Sequence, residues 1–477
     1  MQNGEPQGAQ ESRGRSGAAH VAAEACGEMQ LPTATLQDIS WIDKFIEDVK
    51  EFVFVREADS LLILIPNQAY KLNESACRVL QKLLGGAGVE SLLRAIGDTP
   101  EKRADLHHFF CDLRAIVSGC LREGQQRRAV EDVPFSRPFN TLPVLSEIAL
   151  TYACNLKCVF CYAACGCKAS EDRSGEMTTA EVKRVLHVIR HDAQVPSVSF
   201  TGGEPTLRRD LPALVRCARS IGLRVNLITN GTNLTPRLVR RLRRSGLSSA
   251  QVSLEGPSPA VHEALTACPG SFERTIEGVR RLRDAGIRVH THTTISRGNL
   301  EHLEGIIRLA RELGMERFSM NVVIPTGAAV DRLDEVCVSY SEIGEVVRGV
   351  RAAARRTGIE FMWYSPTPFC LFNPVAHGLG GKSCAACDGL LSVSPTGDVL
   401  PCSSLDEPVG NLLTEDFHAV WNSPLAEYYK TKSYAHDTCR SCEDFELCCG
   451  ACPLYWRAFG HGELDAQRRQ ASDVRVN

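Results

Sequence analysis

Cys154-Asn155-Leu156-Lys157-Cys158-Val159-Phe160-Cys161-Tyr162 is the stretch on which the reading turns. Its cysteines, spaced Cx3Cx2C, can give three thiolates to a [4Fe-4S] cluster and leave the fourth iron open. An electron-transfer cluster takes four thiolates. A structural zinc takes four Cys or His ligands, usually as two separated pairs, which this tight loop does not supply. An open iron is a place where a cofactor can bind and be cleaved.

Outward from the loop, apolar periodicity alternates between strand and helix. A strand over 145–151 precedes it; a helix from Thr179 and a short buried strand over 197–200 follow. That strand ends at Thr201-Gly202-Gly203-Glu204-Pro205, where two glycines let a backbone approach a ligand closely. After a helix from Asp210, strands are predicted at 224–229, 250–254, 288–294 and 317–323. The helices between them begin near Pro236, Ser271 and Asn299. Such a run calls for parallel strands joined by crossover helices. Ligand groups then belong at the strands' C-terminal ends, where Cys154, Glu204, Thr229-Asn230-Gly231, Ser253 and Glu255 fall.

Cx3Cx2C followed one helix and one strand later by GGEP resembles the radical S-adenosylmethionine (SAM) enzymes. The resemblance implies an α/β fold, a partial (β/α)6 TIM-like barrel spanning 144–365, with SAM bound at a [4Fe-4S] cluster held by Cys154, Cys158 and Cys161. It also implies that Gly202, Gly203 and Glu204 engage the amino group of SAM. Ser253 and Glu255 would lie near its ribose or carboxylate, and Asn230 would face the cofactor from a strand end. As residues alone, Ser253 and Asn230 equally suit satisfied turn positions, and His262, after Gly256-Pro257, reads as a helix-start residue. Many relatives carry Asp where Glu255 stands and an Arg where Ala264-Leu265-Thr266 intervenes, so the grip on the SAM carboxylate is left open.

The C-terminal third carries Cys387, nine residues, Gly397, four residues and Cys402, then Cys439-x2-Cys442-x5-Cys448-x3-Cys452. This resembles the SPASM domain, assigned to 366–460, and implies two auxiliary iron-sulfur clusters. On that pattern Cys384, Cys387, Cys402 and Cys452 hold one, and Cys439, Cys442 and Cys448 hold the other. The family adds a further Cys downstream, but none follows Cys452 here. Cys449, His461, Asp465 or Cys370 could complete the second site, or its iron could stay open. Cx2C pairs also serve zinc, although the x5 and x3 spacings match the cluster pattern. Cys165 and Cys167 lie outside the triad and read as tolerated loop thiols, with extra ligands or reactive thiols as alternatives. Cys77, Cys111, Cys217, Cys268 and Cys337 read as small core residues.

At 477 residues and 43% hydrophobic content, the chain has room for about three domains. Lys and Arg (54) nearly balance Asp and Glu (57), giving a net charge of -3, so no nucleic-acid partner is expected; Arg237 to Arg244 reads as a solvated helix face. No basic segment leads into an apolar one at the N-terminus and no run of eighteen apolar residues occurs, which predicts neither export nor membrane insertion. Twenty-one cysteines, an odd and clustered set, point to reduced thiols serving metal in the cytoplasm.

Residues 1–35 and 461–477 are expected to be tails, the first disordered by composition. From 45 to 122 the pattern gives strands around Phe52–Phe54 and at 61–65, with turns at Asp59-Ser60 and Pro66-Asn67. A helix capped by Asn73 carries Ala76, Val79, Leu80, Leu83 and Leu84 up to Gly85-Gly86; helices over 89–96 and 104–120 follow. With Tyr70 to Ala76 leading into the first helix, this order resembles PqqD-like peptide-recognition domains, in which a leader peptide adds a strand to a sheet edge. A winged-helix-like α+β domain that only packs on the enzyme is the alternative. A charged connector, 123–143, joins it to the barrel.

Together the resemblances imply that the cluster passes one electron to SAM, releasing methionine and a 5'-deoxyadenosyl radical that abstracts hydrogen from an inert C–H bond. The protein's part is to position the reactants. The auxiliary clusters would take the electron back or bind a substrate thiolate, and a flavodoxin or ferredoxin would supply reductant. The expected substrate is a peptide or protein, modified by oxidation or by a thioether or carbon crosslink. A small molecule such as a tetrapyrrole is the runner-up. A non-catalytic electron carrier is disfavoured by the missing fourth ligand of the first loop.

Overall fold

A computed structural model of the protein describes residues 38–65, 68–118, 129, 137–163, 173 and 175–467. The expected N-terminal tail, the Pro66-Asn67 turn, Cys120, Cys165, Cys167, the connector before Arg137 apart from Ala129, and residues 468–477 lie outside them. The chain divides into two compact units: residues up to Leu64 together with Tyr70–Pro134, and Ile65–Ala69 together with Phe135 onward.

In the first part of the chain a helix Trp41–Val49 precedes strands β1 (Val53–Arg56), β2 (Leu61–Leu64) and β3 (Gln68–Lys71). Helices Glu74–Leu84, Val89–Ile96 and Pro100–Val117 follow. The Asn73 side chain accepts from Ala76 N at 2.8 Å; of the predicted stripe Leu80 and Leu83 are buried, together with Cys77, while Ala76, Val79 and Leu84 are half-buried at its margin. The third helix starts four residues before the predicted 104, because Thr99 caps it at Lys102 N and Pro100 takes the first turn, where a missing N–H costs nothing. The helix Trp41–Val49 was not predicted. At the Asp59-Ser60 turn, Arg56 grips Asp59 with two hydrogen bonds of 2.8 and 2.9 Å, both side chains being at most 2% exposed. β1 and β2 pair antiparallel in the order β1-β2-β3. Among the described residues no further strand pairs with the outer edges of this sheet.

The second unit is built on a ten-stranded sheet: β4 (Leu145–Ala149), β5 (Ser197–Thr201), β6 (Arg224–Thr229), β7 (Ser249–Ser253), β8 (Arg288–Ile295), β9 (Arg317–Val322), β10 (Glu360–Trp363), β11 (Leu390–Val393), β12 (Asp398–Leu400) and β13 (Gly410–Asn411). Its order is β10-β9-β8-β7-β6-β5-β4-β11-β12-β13. β4 to β9 are the six predicted units, all parallel. The sheet is wider than a (β/α)6 count, with β10 added parallel at one edge and β11 parallel to β4 at the other, followed by antiparallel β12 and β13.

Alternation along each strand sets the two faces apart. Phe200, Val225, Leu227, Ala250 and Val252 are buried against Val182, Leu186, Leu214 and Val215 of the covering helices. The other face is polar: register aligns Glu147, Ser199, Asn226 and Ser249 in one row. The C-terminal segment is part of this unit, since β11 runs beside β4 from Leu390↔Leu145 to Val393↔Ile148. Residues 137–143, expected as the end of a connector, are pinned there too, as is Val144 at the start of the barrel. Arg137 bonds Asp388 (2.8 Å) and Glu446 O (2.9 Å), Trp421 Nε1 donates to Thr141 O (3.0 Å), and Val144 N donates to Gly389 O (2.9 Å). Among the described residues no helix is long and apolar enough to cross a membrane.

Candidate active site

The cysteine loop leaves β4 at the strand's C-terminal end and is tied down on every side. Gly203 N donates to Thr151 O (2.8 Å) and Glu204 N to Ala153 O (2.9 Å), so the exit of β5 runs against the exit of β4. Gly202 has φ +124°, and a Cβ there would stand 2.2 Å from Thr151 O; one on Gly203 would stand 2.4 Å from Ala153 O. The glycine pair is thus required by the cysteine segment's own backbone. On the far side, Lys157 N and Val159 N donate to Thr266 O (3.1 Å) and Leu265 O (2.9 Å) of the helix Pro259–Thr266, and Ala328 N donates to Cys161 O (2.9 Å). Val159 and Phe160 pack on Val323, Ala329, Val336 and Cys337. Tyr162 Oη donates to Gly202 O at 3.3 Å.

The three thiols lie within electrostatic reach of one another, with Glu204 beside Cys154 and Glu255 beside Cys158. Burial pushes Cys154 up to about 11 and Cys158 well above the ordinary thiol range. A bound iron cluster reverses that penalty, because a coordinating thiol is deprotonated outright. Asn230 Nδ2 donates to Asn155 Oδ1 (2.9 Å) and points at Cys154 Sγ (3.8 Å), while its Oδ1 accepts from Thr232 N (2.9 Å). Glu204 is fully buried, which raises its carboxyl. Its Oε1 takes Thr206 N (3.0 Å), Thr206 Oγ1 (2.6 Å) and Thr229 Oγ1 (2.8 Å); its Oε2 takes Asn230 N (2.8 Å) and has one lone pair left over. Glu255 is buried and pushed up to about 8, its Oε2 accepting from Thr294 N at 2.9 Å. His262 closes the first turn of the helix Pro259–Thr266, its N–H donating to the N-cap Ser258 O at 3.0 Å; it is buried, and its Nδ1 accepts from Glu255 N at 3.1 Å.

Ser253 sits half-buried at the end of β7, level with His292 on β8. That face of the sheet continues as hydrogen-bonded pairs: His290 Nε2 with Gln251 (3.1 Å), and His292 with Ser319 (2.8 Å) and Asn321 (3.0 Å). Burial lowers His290 to about 3 and His292 to about 4, so both are neutral at pH 7. Tyr364 stacks on His292, centroids 6.0 Å apart, and Lys382 Nζ lies 5.9 Å from the Tyr364 ring. Sequence reading missed this wall, although the alternation Gln251/Ser253, His290/His292 and Ser319/Asn321 was its signal.

In the C-terminal segment the thiols sort into two neighbourhoods. Cys402 and Cys452 each feel Cys384, as does Cys387, and burial pushes Cys387 and Cys452 up to about 12. Cys448 feels Cys439 and Cys442. Between Cys448 and Cys452, three successive residues take left-handed backbone (Cys449 φ 59°, Gly450 φ 73°, Ala451 φ 68°), which turns two cysteines four apart toward different sites. Among the described residues no three His, Cys, Asp or Glu side chains converge tightly enough for a single metal ion. Looser groups of thiols suit the outer corners of an iron-sulfur cube. A surface hollow of about 360 Å³, lined by Arg348, Arg351, Arg355 and Arg356, contains none of these candidates.

Residues 148–310 match the radical SAM superfamily, and 382–443 match SPASM, an iron-sulfur cluster-binding domain. The chain is similar to an AdoMet-dependent heme synthase of Methanosarcina barkeri, 32% identical over 67% of this chain and 93% of that protein. It is also similar to a PqqA peptide cyclase of Bradyrhizobium diazoefficiens, 27% identical over 65% of this chain and 81% of that protein. In fold it resembles Streptococcus suis SuiB bound to precursor peptide SuiA, with a TM-score of 0.65 and 18% identity, covering 85% of this chain and 95% of that one.

Proposed function

Because the chain belongs to the radical SAM superfamily and carries a SPASM domain for auxiliary iron-sulfur clusters, we propose that it is a peptide or protein maturase, oxidising or crosslinking side chains of its substrate. Once bound, the cluster and SAM would supply one-electron reduction and hydrogen-abstracting radical chemistry. Cys154, Cys158 and Cys161 would hold that cluster, and Glu204 and Asn230 fix the strand ends around it. The reading is carried by the sheet β1-β2-β3, whose outer edges pair with no further strand among the described residues, which supports strand addition by an extended peptide. The similarity to SuiB reaches into this region, since 85% of the chain is more than residues 135–477 contain. Asn226, Gln251, Ser253, His292, Ser319 and Asn321 add a wall of neutral donors and acceptors, which matches main-chain amides better than the carboxylates of a tetrapyrrole.

The 32% identity with a heme synthase favours a second reading, a tetrapyrrole modifier. Anaerobic protein reconstituted with iron and sulfide, then given SAM and dithionite, separates the two. A maturase forms 5'-deoxyadenosine and changes the mass of a short precursor peptide encoded beside its gene. Turnover of a porphyrin with no change in the peptide overturns the proposal.

A further inference from the structure

Cys439, Cys442 and Cys448 leave the second auxiliary site one ligand short, and four side chains compete for the place. The fold separates them. Beyond β10 the backbone turn at 367–370 comes down on Cys448: Phe369 N donates to its Sγ at 3.3 Å, and the thiol reaches Thr367 O at 3.9 Å. The next residue, Cys370, is exposed, and its thiol lies within electrostatic reach of Cys448, Cys439 and Cys442.

The competitors face elsewhere. Cys449 is buried and lies within electrostatic reach of Cys448, its chain neighbour, but the Arg137 guanidinium sits on its sulfur with Lys432 nearby. The His461 ring packs on His436 and Trp456, with centroids at 4.4 and 5.2 Å, and Asp465 lies beside it. We propose that Cys370 is the fourth thiolate of the second auxiliary cluster, a ligand supplied from upstream of Cys384 in place of a cysteine downstream of Cys452.

The inference rests on membership of the SPASM family and holds for either substrate class. Its consequence is chemical. Both auxiliary sites then carry four thiolates, so neither offers an iron to a substrate thiol, and each serves to move electrons. The loop at 154–161 keeps the one open position.

The test uses the full chain, reconstituted anaerobically. In Cys370→Ala, iron falls from about twelve to between about eight and eleven per chain, and the oxidised protein shows a three-iron EPR signal in excess of the one the open cluster of the 154–161 loop gives in wild type. Cys449→Ser leaves both readings unchanged. On wild-type protein, iodoacetamide followed by peptide mass spectrometry finds Cys370 protected when iron is loaded and alkylated after chelation, which needs no variant to fold. Full iron with an unchanged spectrum in Cys370→Ala, or alkylation of Cys370 in the loaded protein, overturns the assignment. Neither result bears on whether a peptide is the substrate.

Discussion

Three thiols within eight residues make the loop after β4, whereas the C-terminal thiols are gathered from positions between 370 and 452. The first set is held by backbone: the exits of β4 and β5 hydrogen-bond across a glycine pair, and a helix end and residue 328 clamp the other side. The second set is held by short turns and by left-handed residues that split neighbouring cysteines between two sites. A local loop keeps one corner free without rearranging its neighbours. A set drawn from distant segments instead surrounds its cluster and closes it.

The sharpest way to break this contrast is Cys158→Ala, which should reduce 5'-deoxyadenosine formation to the level of iron-free protein while about eight irons remain, read by product analysis and iron counting. Cys402→Ala should do the converse: SAM is still cleaved, but modified product falls at least tenfold and about four irons are lost. Gly203→Ala drives a Cβ into the backbone of Tyr152 and Ala153, and should cost about 1–3 kcal/mol in chemical denaturation, with SAM cleavage impaired. Gly450→Ala, at φ 73°, should cost about 1–2 kcal/mol while leaving SAM cleavage intact.

The smallest effect is acid sensitivity of the barrel. His292 is held neutral in the fold at about 4, below its ordinary value of 6.5, so the unfolded chain takes up a proton first as pH falls. Stability is full above 6.5 and declines toward 4. Between pH 7.5 and 6 His292 contributes about 1 kcal/mol of the loss, and His292→Asn should remove that share in pH-dependent denaturation, leaving the share of His290, which is lowered for the same reason.

Much of this was legible where the signal is local. Cx3Cx2C, GGEP and the alternation from β4 to β9 are contiguous patterns, and each landed within a residue or two of its predicted element. The helix Trp41–Val49 was legible but passed over: Ile42, Ile46 and Val49 stand at helical spacing. β12 and β13, of three and two residues, are too short to show a period and exist through antiparallel pairing, β12 with the neighbouring β11 and β13 with β12. Cys370 stands alone in sequence and acquires meaning only because the turn at 367–370 folds onto Cys448. Glu204 was read as engaging the amino group of SAM; two of its four hydrogen bonds, from Thr229 and Asn230, also join the exit of β5 to that of β6, a role set by residues 25 and 26 positions away.

The pairing of β4 with β11 also sets a clock. Leu145 meets Leu390 across 245 residues of chain. At 5–20 residues per second, a ribosome takes roughly ten to fifty seconds to deliver β11 after β4 has emerged. Throughout that interval the strand that leads into the first cysteine loop has one edge unpaired by its final neighbour, exposed to chaperones and to the iron-delivery machinery alike.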